Sequence, residues 1–562
     1  MSSHFQALTY AANDKETIMA RQTKPDSTRP TMAGVRRLDY VQSTIRQRWG
    51  ILDWDLRYPW WRRPAKVRIL MYADGSVLFN GGPFLGLQYV KTLLESRAYY
   101  YVDFDISTAH RDGADPSATI AGAKKLTDLD IINKYDEIWF FGINETPNLT
   151  AAEVTLLDQF MAAPKSGGVL VTGDHANLGR GITQQITRAG QMRQYPAPDA
   201  VTNVWNTTLQ DGPDPGSTYD FKDQSDDLPQ PVRWTRFPVW SLVGFRQRFR
   251  PHPVLCGPKG PIDVFPDHQH EGEALAPVPA AADSNWPTKN GHQERPVVIA
   301  WGTIKDPAAN RHGQEIGLAS AYDGQTVDVG RILADSTWHH WFDINITGIA
   351  APPSPYAGYD ATAAGQEALK KIDAYFLNCG VWLAPPERQA EMRYAAWWSI
   401  LWTDQILELS AETPIYILGG EAMDALGLRA SRCTVSEWIW DWPIFKEKIP
   451  HWEWPQIIDK FRFINLPLEE FVAGGIIRQL LLEVGPRNSK AQFPQRAAED
   501  RSLDRVINAG IEEGFSAFTR QLQNESSTLS KLMETDLQRL APTRDKEKSV
   551  KKSGSDKKKG YR

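Results

Sequence analysis

The chain has 562 residues, of which 41% are hydrophobic, with a formal net charge of −5 and a pI of about 6.2. That length supports a large core and more than one domain, the near-neutral balance leaves no electrostatic footprint for nucleic acid, and no uncharged apolar run is long enough to mark a membrane span. The start, MSSHFQALTYAANDKE, lacks the apolar segment of a secretory signal, and the three cysteines (Cys256, Cys379, Cys433) are too few for a disulfide framework, so the expectation is a cytoplasmic protein whose cysteines serve packing.

Residues 1–35 are polar and aperiodic and are expected to be flexible. Residues 36–65 interleave arginine with rings: Trp49, Trp54, Tyr58, Trp60, Trp61, Arg62 and Arg63. Such a mixture can stack on single-stranded nucleic acid. Without a nucleic-acid module beside it, the segment reads as rings packed on the main domain with guanidinium groups in water. From residue 66 the pattern is regular. "KVRILMYAD" is a strand ending at Asp74, "PFLGLQYVKTLLESRA" has helical spacing, and "YYYVDFDIST" is a second strand. "LDIINKYDEIWFFGINE" carries a short helix and a strand ending near Asn144. "TPNLTAAEVTLLDQFMAAP" is a helix opened by a reciprocal cap of Thr150 and Glu153. "GGVLVTGDHANLG" is a buried strand followed by a tight turn that presents Asp174 and His175.

This alternation predicts an α/β domain over 66–385 with a mostly parallel, doubly wound sheet, and a ligand crevice at the strand ends Asp74, Asn144 and Asp174 with His175. Residues 180–295, rich in Pro, Gly and Asp, read as a long insertion folded over the crevice. Strands resume with "RPVVIAWGTI", then a hairpin around Asp323 and Gly324, and "GQEALKKIDAYFLNCGVWL" is an amphipathic helix closing the domain near 385. Residues 386–540 read as a Trp-rich helical second domain. Its tryptophans (397, 398, 402, 438, 440, 442, 452, 454) are expected in its core rather than as sugar-stacking platforms. Residues 541–562 form a basic, low-complexity tail, expected to be disordered and solubilising.

Residues 66–180 together with 295–385 resemble the trehalose-utilisation ThuA-like family, a branch of the class I glutamine-amidotransferase-like superfamily. The resemblance rests on "VRILMYADG", "YDEIWFFGINETPNLTAAEVTLLDQFM", "GGVLVTGDH" and "GRILADSTWHH", in that order. It implies a class I glutamine-amidotransferase-like sheet, a pocket shared by His175 with His339 and His340, and carbohydrate-related substrates. Where the superfamily usually presents a nucleophilic cysteine after the elbow strand, this chain has His175, so cysteine-dependent amide hydrolysis is not implied. The insertion and the helical domain depart from the family's pattern and leave the substrate open.

Three motifs concentrate ionisable side chains: Asp174 with His175; "PDHQHEGE", with Asp267, His268, His270, Glu271 and Glu273; and "DSTWHHWFD", with Asp335, His339, His340 and Asp343. They hold five of the eleven histidines. Imidazole and carboxylate suit zinc, manganese or iron. Alternate residues of an extended segment point the same way, so His268 and His270 can reach one ion with Glu271 turned aside as a base. Adjacent His339 and His340 cannot both point inward from a regular strand. One reading joins His175, His268, His270 and His339 around a single divalent metal that activates water, with Asp174 or Glu271 as general base. A second is a metal-free acid–base site using His175 and His339 or His340. A third has these groups hydrogen-bonding one another to hold the insertion on the sheet.

"ADGSVLFNGG" offers Gly75, Ser76, Gly81 and Gly82 as an anion-holding loop or as turn residues. Asp74, Gly75, Ser76, Asn144 and Glu145 are the candidate ligand-binding residues. The expected function is a small-molecule hydrolase. The alternative is a non-catalytic ligand-sensing or scaffolding protein that engages a protein partner through the helical domain.

Overall fold

The computed structural model describes residues 37–51, 64–80, 85–173, 177–194, 230–239, 248–266, 272–280, 283–305, 310–348, 358–359, 362–440, 468–484 and 500–540. Nine strands form one sheet among them: β1 (Ala65–Ala73), β2 (Val102–His110), β3 (Ile120–Ala123), β4 (Glu137–Phe141), β5 (Gly168–Val171), β6 (Arg233–Trp234), β7 (Val297–Thr303), β8 (Glu315–Tyr322) and β9 (Ile332–Asp335). Their order is β3-β2-β1-β4-β5-β9-β8-β7-β6. The first six are mutually parallel and the last three join antiparallel. The expected hairpin is present: β8 and β9 pair from Tyr322 and Ile332 across a short 3-10 turn at Gly324–Val327. The order of strands reverses between β1 and β4, the point at whose carboxyl ends doubly wound sheets place their ligands.

Four helices matter for that sheet: α1 (Arg37–Trp49), α2 (Gln88–Glu95), α3 (Ala151–Met161) and α4 (Ala363–Leu383). β1, β4 and β5 read as nearly continuous apolar runs because both faces are covered. On one face Leu70, Tyr72, Ile138, Phe140, Val169 and Val171 share a core with Leu157, Phe160 and Met161 of α3. On the other, Trp139 and Phe141 meet Trp341 at 5.8 and 5.6 Å, and Trp341 meets Phe376 of α4 at 4.9 Å. Burying each such large side chain is worth about 2 kcal/mol. α3 begins at the expected cap: Glu153 Oε2 accepts the Thr150 N–H at 2.9 Å, and Thr150 Oγ1 accepts the Glu153 N–H at 3.4 Å. The end of α4 lies so close to β5 that a Cβ on Gly168 would sit 2.2 Å from the Leu383 carbonyl oxygen.

Four expectations are corrected here. First, the guanidinium of Arg48, in α1, does not reach water. It donates to Asp373 at 2.7 Å and to the Tyr89 hydroxyl at 2.6 Å, and Trp49 Nε1 donates to the same Asp373 oxygen at 3.0 Å. Burial works against the Arg48 charge, but Asp373 and Tyr89 outweigh it and raise its pKa. Second, part of the insertion builds the sheet and its packing. It supplies the edge strand β6, and residues 253–265 lie on α4, where Asn378 Nδ2 donates to the Val254 and Cys256 carbonyls. Third, Cys256 and Cys433 form a disulfide with Cα atoms 6.1 Å apart; buried Cys379 alone is a free thiol. The inference of a cytoplasmic setting from cysteine usage loses that support.

The fourth concerns the domains. The chain divides into two compact units: Met1–Val239, Phe249–Glu408 and Met423–Trp440 form one, and Trp240–Arg248, Leu409–Ala422 and Asp441–Arg562 the other. Helices α5 (Pro386–Ile400) and α6 (Arg432–Trp440) therefore belong with the sheet rather than to a domain beginning at 386. Trp397, Trp398 and Trp438 are buried, as their spacing predicts, and Trp438 meets Tyr101 edge-on at 5.0 Å. In the second unit α7 (Leu468–Val484) and α8 (Asp500–Leu540) cross at glycines: a Cβ on Gly475 would lie 2.1 Å from the Gly510 carbonyl oxygen. Arg478 pairs with Glu513 beside this crossing at 3.2 Å. Among the described residues no helix is long and apolar enough to cross a membrane. Residues 1–35 and 541–562, with Trp54, Tyr58, Trp60, Trp61, Arg62, Arg63, Trp442, Trp452 and Trp454, lie outside the described residues.

Candidate functional site at the carboxyl ends of the strands

Asp74 follows β1 and is fully buried. Its Oδ1 accepts the backbone N–H groups of Ile143 and Asn144 at 2.7 and 3.0 Å, which ties the end of β1 to the end of β4. Its Oδ2 is buried and has no hydrogen-bond partner among the described residues. Burial pushes the Asp74 carboxyl up and the two backbone donors pull it back, leaving its pKa at about 6. Gly75 adopts a positive φ of 63°, and a Cβ there would lie 3.0 Å from Asn144 Oδ1. Its N–H donates to Asp112 Oδ2 at 2.9 Å, and Asn144 Nδ2 donates to the same oxygen at 2.8 Å. Ser76 is exposed beside it, while Gly81 and Gly82 lie outside the described residues.

The end of β2 supplies the groups that the sequence reading missed. That strand runs on to His110, two residues past the expected end, and delivers "HRDGAD" to the crevice. His110 is buried; its Nδ1 accepts the N–H groups of Asp112 and Ala114 at 3.2 Å each. Burial lowers the His110 pKa against the pull of Asp112 and Asp115. Asp115 accepts the Phe79 N–H at 2.6 Å and the Ser117 N–H at 2.7 Å, fixing the loop that follows Gly75. Arg111 turns away from this loop into a buried pair with Glu153 at 2.7 Å. Burial alone would raise the Glu153 carboxyl; Arg111 and the N–H donors of Thr150 and Leu126 outweigh it and hold the pKa at about 2. An acidic turn after an apolar strand was the available signal.

Asp174 and His175 lie outside the described residues, but the segment that follows them, 177–181, meets the same network. Asn177 Nδ2 donates to Glu145 Oε1 at 2.9 Å, Arg180 lies 3.9 Å from Glu145, and the Gly181 N–H donates to the Asn144 carbonyl at 3.0 Å. Glycine permits this approach: a Cβ on Gly142 would sit 2.8 Å from the Gly179 Cα. Asp74, Gly75, Asn144 and Glu145 thus form one connected rim.

β9 lies next to β5, with Ala334 opposite Val171. His339 and His340 follow it in a 3-10 turn rather than the regular strand expected, and both are buried. His340 Nε2 lies 2.7 Å from Asp335 Oδ2, which also accepts from Trp341 Nε1 at 3.0 Å and the Tyr375 hydroxyl at 2.9 Å. The His340 ring stacks on Phe265 at 4.4 Å. His339 stacks on Trp338 at 4.5 Å, and its carbonyl accepts from Asn345 Nδ2 at 2.7 Å. Asp343 accepts the Tyr89 N–H at 2.8 Å. Asp335, His340 and Asp343 are therefore engaged in packing the strand end. Asp267, His268, His270 and Glu271 lie outside the described residues. Glu273 pairs with Arg311 at 3.2 Å. Their flanks border the β9 turn: Phe265 lies on His340, and a Cβ on Gly272 would be 3.3 Å from Arg193 Nη2, which donates to the Ser336 carbonyl at 2.9 Å.

Among the described residues no group of three or more His, Cys, Asp or Glu side chains is arranged to hold a metal ion. What the described rim can do chemically is hold polar groups between Asp74, Asp112 and Asn144 and exchange a proton at Asp74. Compared with known proteins, the chain matches no family model, no curated protein and no solved structure, so its function is argued from the geometry of this crevice.

Proposed function

We propose that the protein is a small-molecule enzyme, a hydrolase by reaction class, working at the carboxyl ends of the parallel strands. The observation that carries this reading is the Asp74 carboxylate, buried at the reversal of strand order with one oxygen held and the other unpartnered among the described residues. Burying a carboxylate is costly, and such groups concentrate at functional sites. A pKa near 6 suits a group that takes a proton from water near neutral pH and returns it to a leaving group. Asp112 and Asn144 accept and donate beside it, which fits a polyhydroxylated substrate and agrees with the carbohydrate-related chemistry that the ThuA-like resemblance implies. In this reading His175 is the second acid–base group, and Glu145 and Gly75 border the substrate. The metal-dependent form of the proposal keeps zinc, manganese or iron on His175, His268, His270 and His339, with Asp174 or Glu271 as base.

Chromogenic 4-nitrophenyl glycosides, phosphates and esters are the probes. The expected result is turnover of one class, with kcat/KM falling below about pH 6 and dropping at least about 100-fold in Asp74→Asn. Undiminished turnover in that variant removes Asp74 from the reaction. Turnover of no probe class favours the ligand-sensing alternative. Elemental analysis decides the metal-dependent form: stoichiometric metal, lost in His175→Ala and in His270→Ala, is the result expected of it.

A further inference from the structure

The antiparallel margin of the sheet carries a cavity, separated from the carboxyl ends of β1 and β4 by the intervening strands β5, β9 and β8. At sheet spacing that puts it on the order of 20 Å from the β4 end. Its volume is about 570 Å³, within the range of sites for small organic ligands. We infer that it binds a planar aromatic anion of the nucleoside monophosphate type. Trp301, Thr303 and Lys305 line it from alternate positions of one extended stretch, so they share a face. Arg233 of β6 stands in register with Trp301, and its guanidinium lies 5.1 Å from the indole centroid. Trp234 and Arg236 complete the lining along the sheet edge.

Two features make this more than a basic patch. The Trp301 ring is fixed: Nε1 donates to Thr235 Oγ1 at 2.8 Å, and the Thr235 N–H donates to the Ile299 carbonyl at 2.9 Å. A ring already held in place loses little entropy when a ligand stacks on it. The charges are also unbalanced. Arg233 is paired with Glu315, whereas Arg236 and Lys305 have no carboxylate partner among the described residues. Two cations with no carboxylate partner among the described residues, beside one fixed indole, suit a phosphate joined to a ring: the phosphate lies between Arg236 and Lys305, and the ring stacks on Trp301.

The test is isothermal titration of the full chain with adenosine 5′-monophosphate, with adenosine and inorganic phosphate as separate arms. The nucleotide is expected to bind saturably and to quench tryptophan fluorescence, with each fragment at least about tenfold weaker. The double change Arg236→Ala with Lys305→Ala is expected to weaken nucleotide binding at least about tenfold without lowering Tm. Trp301→Leu tests stacking; because that ring is packed, Lys305→Glu serves as the surface change that keeps the fold. Absence of saturable nucleotide binding overturns the inference. So does equal binding of phosphate alone, or unchanged affinity in the double variant. Asp74→Asn is expected to leave this binding intact, which separates it from the crevice.

Discussion

Two carboxyl groups in this protein are shifted in opposite directions, and they make opposite demands on stability. Asp74 is raised to about 6, so the native state binds its proton more tightly than the unfolded chain does. Its contribution to stability is therefore most favourable below about pH 4 and is lost as pH rises through 6, a difference of about 3 kcal/mol at neutral pH. Asp74→Asn is expected to raise Tm by a few degrees near pH 7.5, and the gain should vanish near about pH 4. Calorimetry at the two pH values checks this, and a variant less stable at both would contradict the cost assigned to the charge. Glu153 is held at about 2, so its contribution is present above the ordinary carboxylate range and lost as pH falls toward 2. Glu153→Gln strands the buried Arg111 and should cost about 3–5 kcal/mol in urea unfolding at neutral pH. The gap should narrow in acid.

The crevice depends at the element level on how closely the ends of β4 and β5 approach. Gly142 and Gly179 allow backbone contact that a methyl group would block. Gly142→Ala must push the chain after β5 away from Asn144, and should cost about 1–3 kcal/mol. Chemical denaturation measures that cost. Turnover in the same variant should fall by more than stability accounts for, since Asp74 takes its two backbone donors from Ile143 and Asn144. The turn after β9 shows why a strand reading failed there. Asp335 collects donors from His340, Trp341 and Tyr375, and a strand would point adjacent residues to opposite faces. The tighter 3-10 turn lets both His340 and Trp341 reach one carboxylate.

For the whole molecule, the Cys256–Cys433 disulfide joins the insertion to α6 across a sequence separation of 177 residues. Cross-linking so long a loop is worth about 5 kcal/mol in the chain-entropy account. Alkylation of the denatured, unreduced protein should label Cys379 alone, and all three cysteines after reduction. Reduction should also lower Tm. Labelling of three cysteines without reductant would show that the bond does not form in the isolated protein.

The strands, their alternation with helices, the cap at Thr150 and Glu153 and the polar strand ends at Asp74 and Asn144 were legible in the sequence because they follow from short-range rules of periodicity, capping and strand ends. The reach of β2 to His110 was not, since its last two residues, Ala109 and His110, are held in the strand by pairing with β1 rather than by side-chain alternation. Nor was the fate of Arg48, of His340, or of the helices after 386. Each of these was settled by a partner hundreds of residues away or by a face supplied by another element, such as Asp373 for Arg48. Local pattern determines which surface a segment must hide. Only the packed fold determines against what it is hidden, and which buried polar atom, such as Asp74 Oδ2, is left without a partner among the described residues.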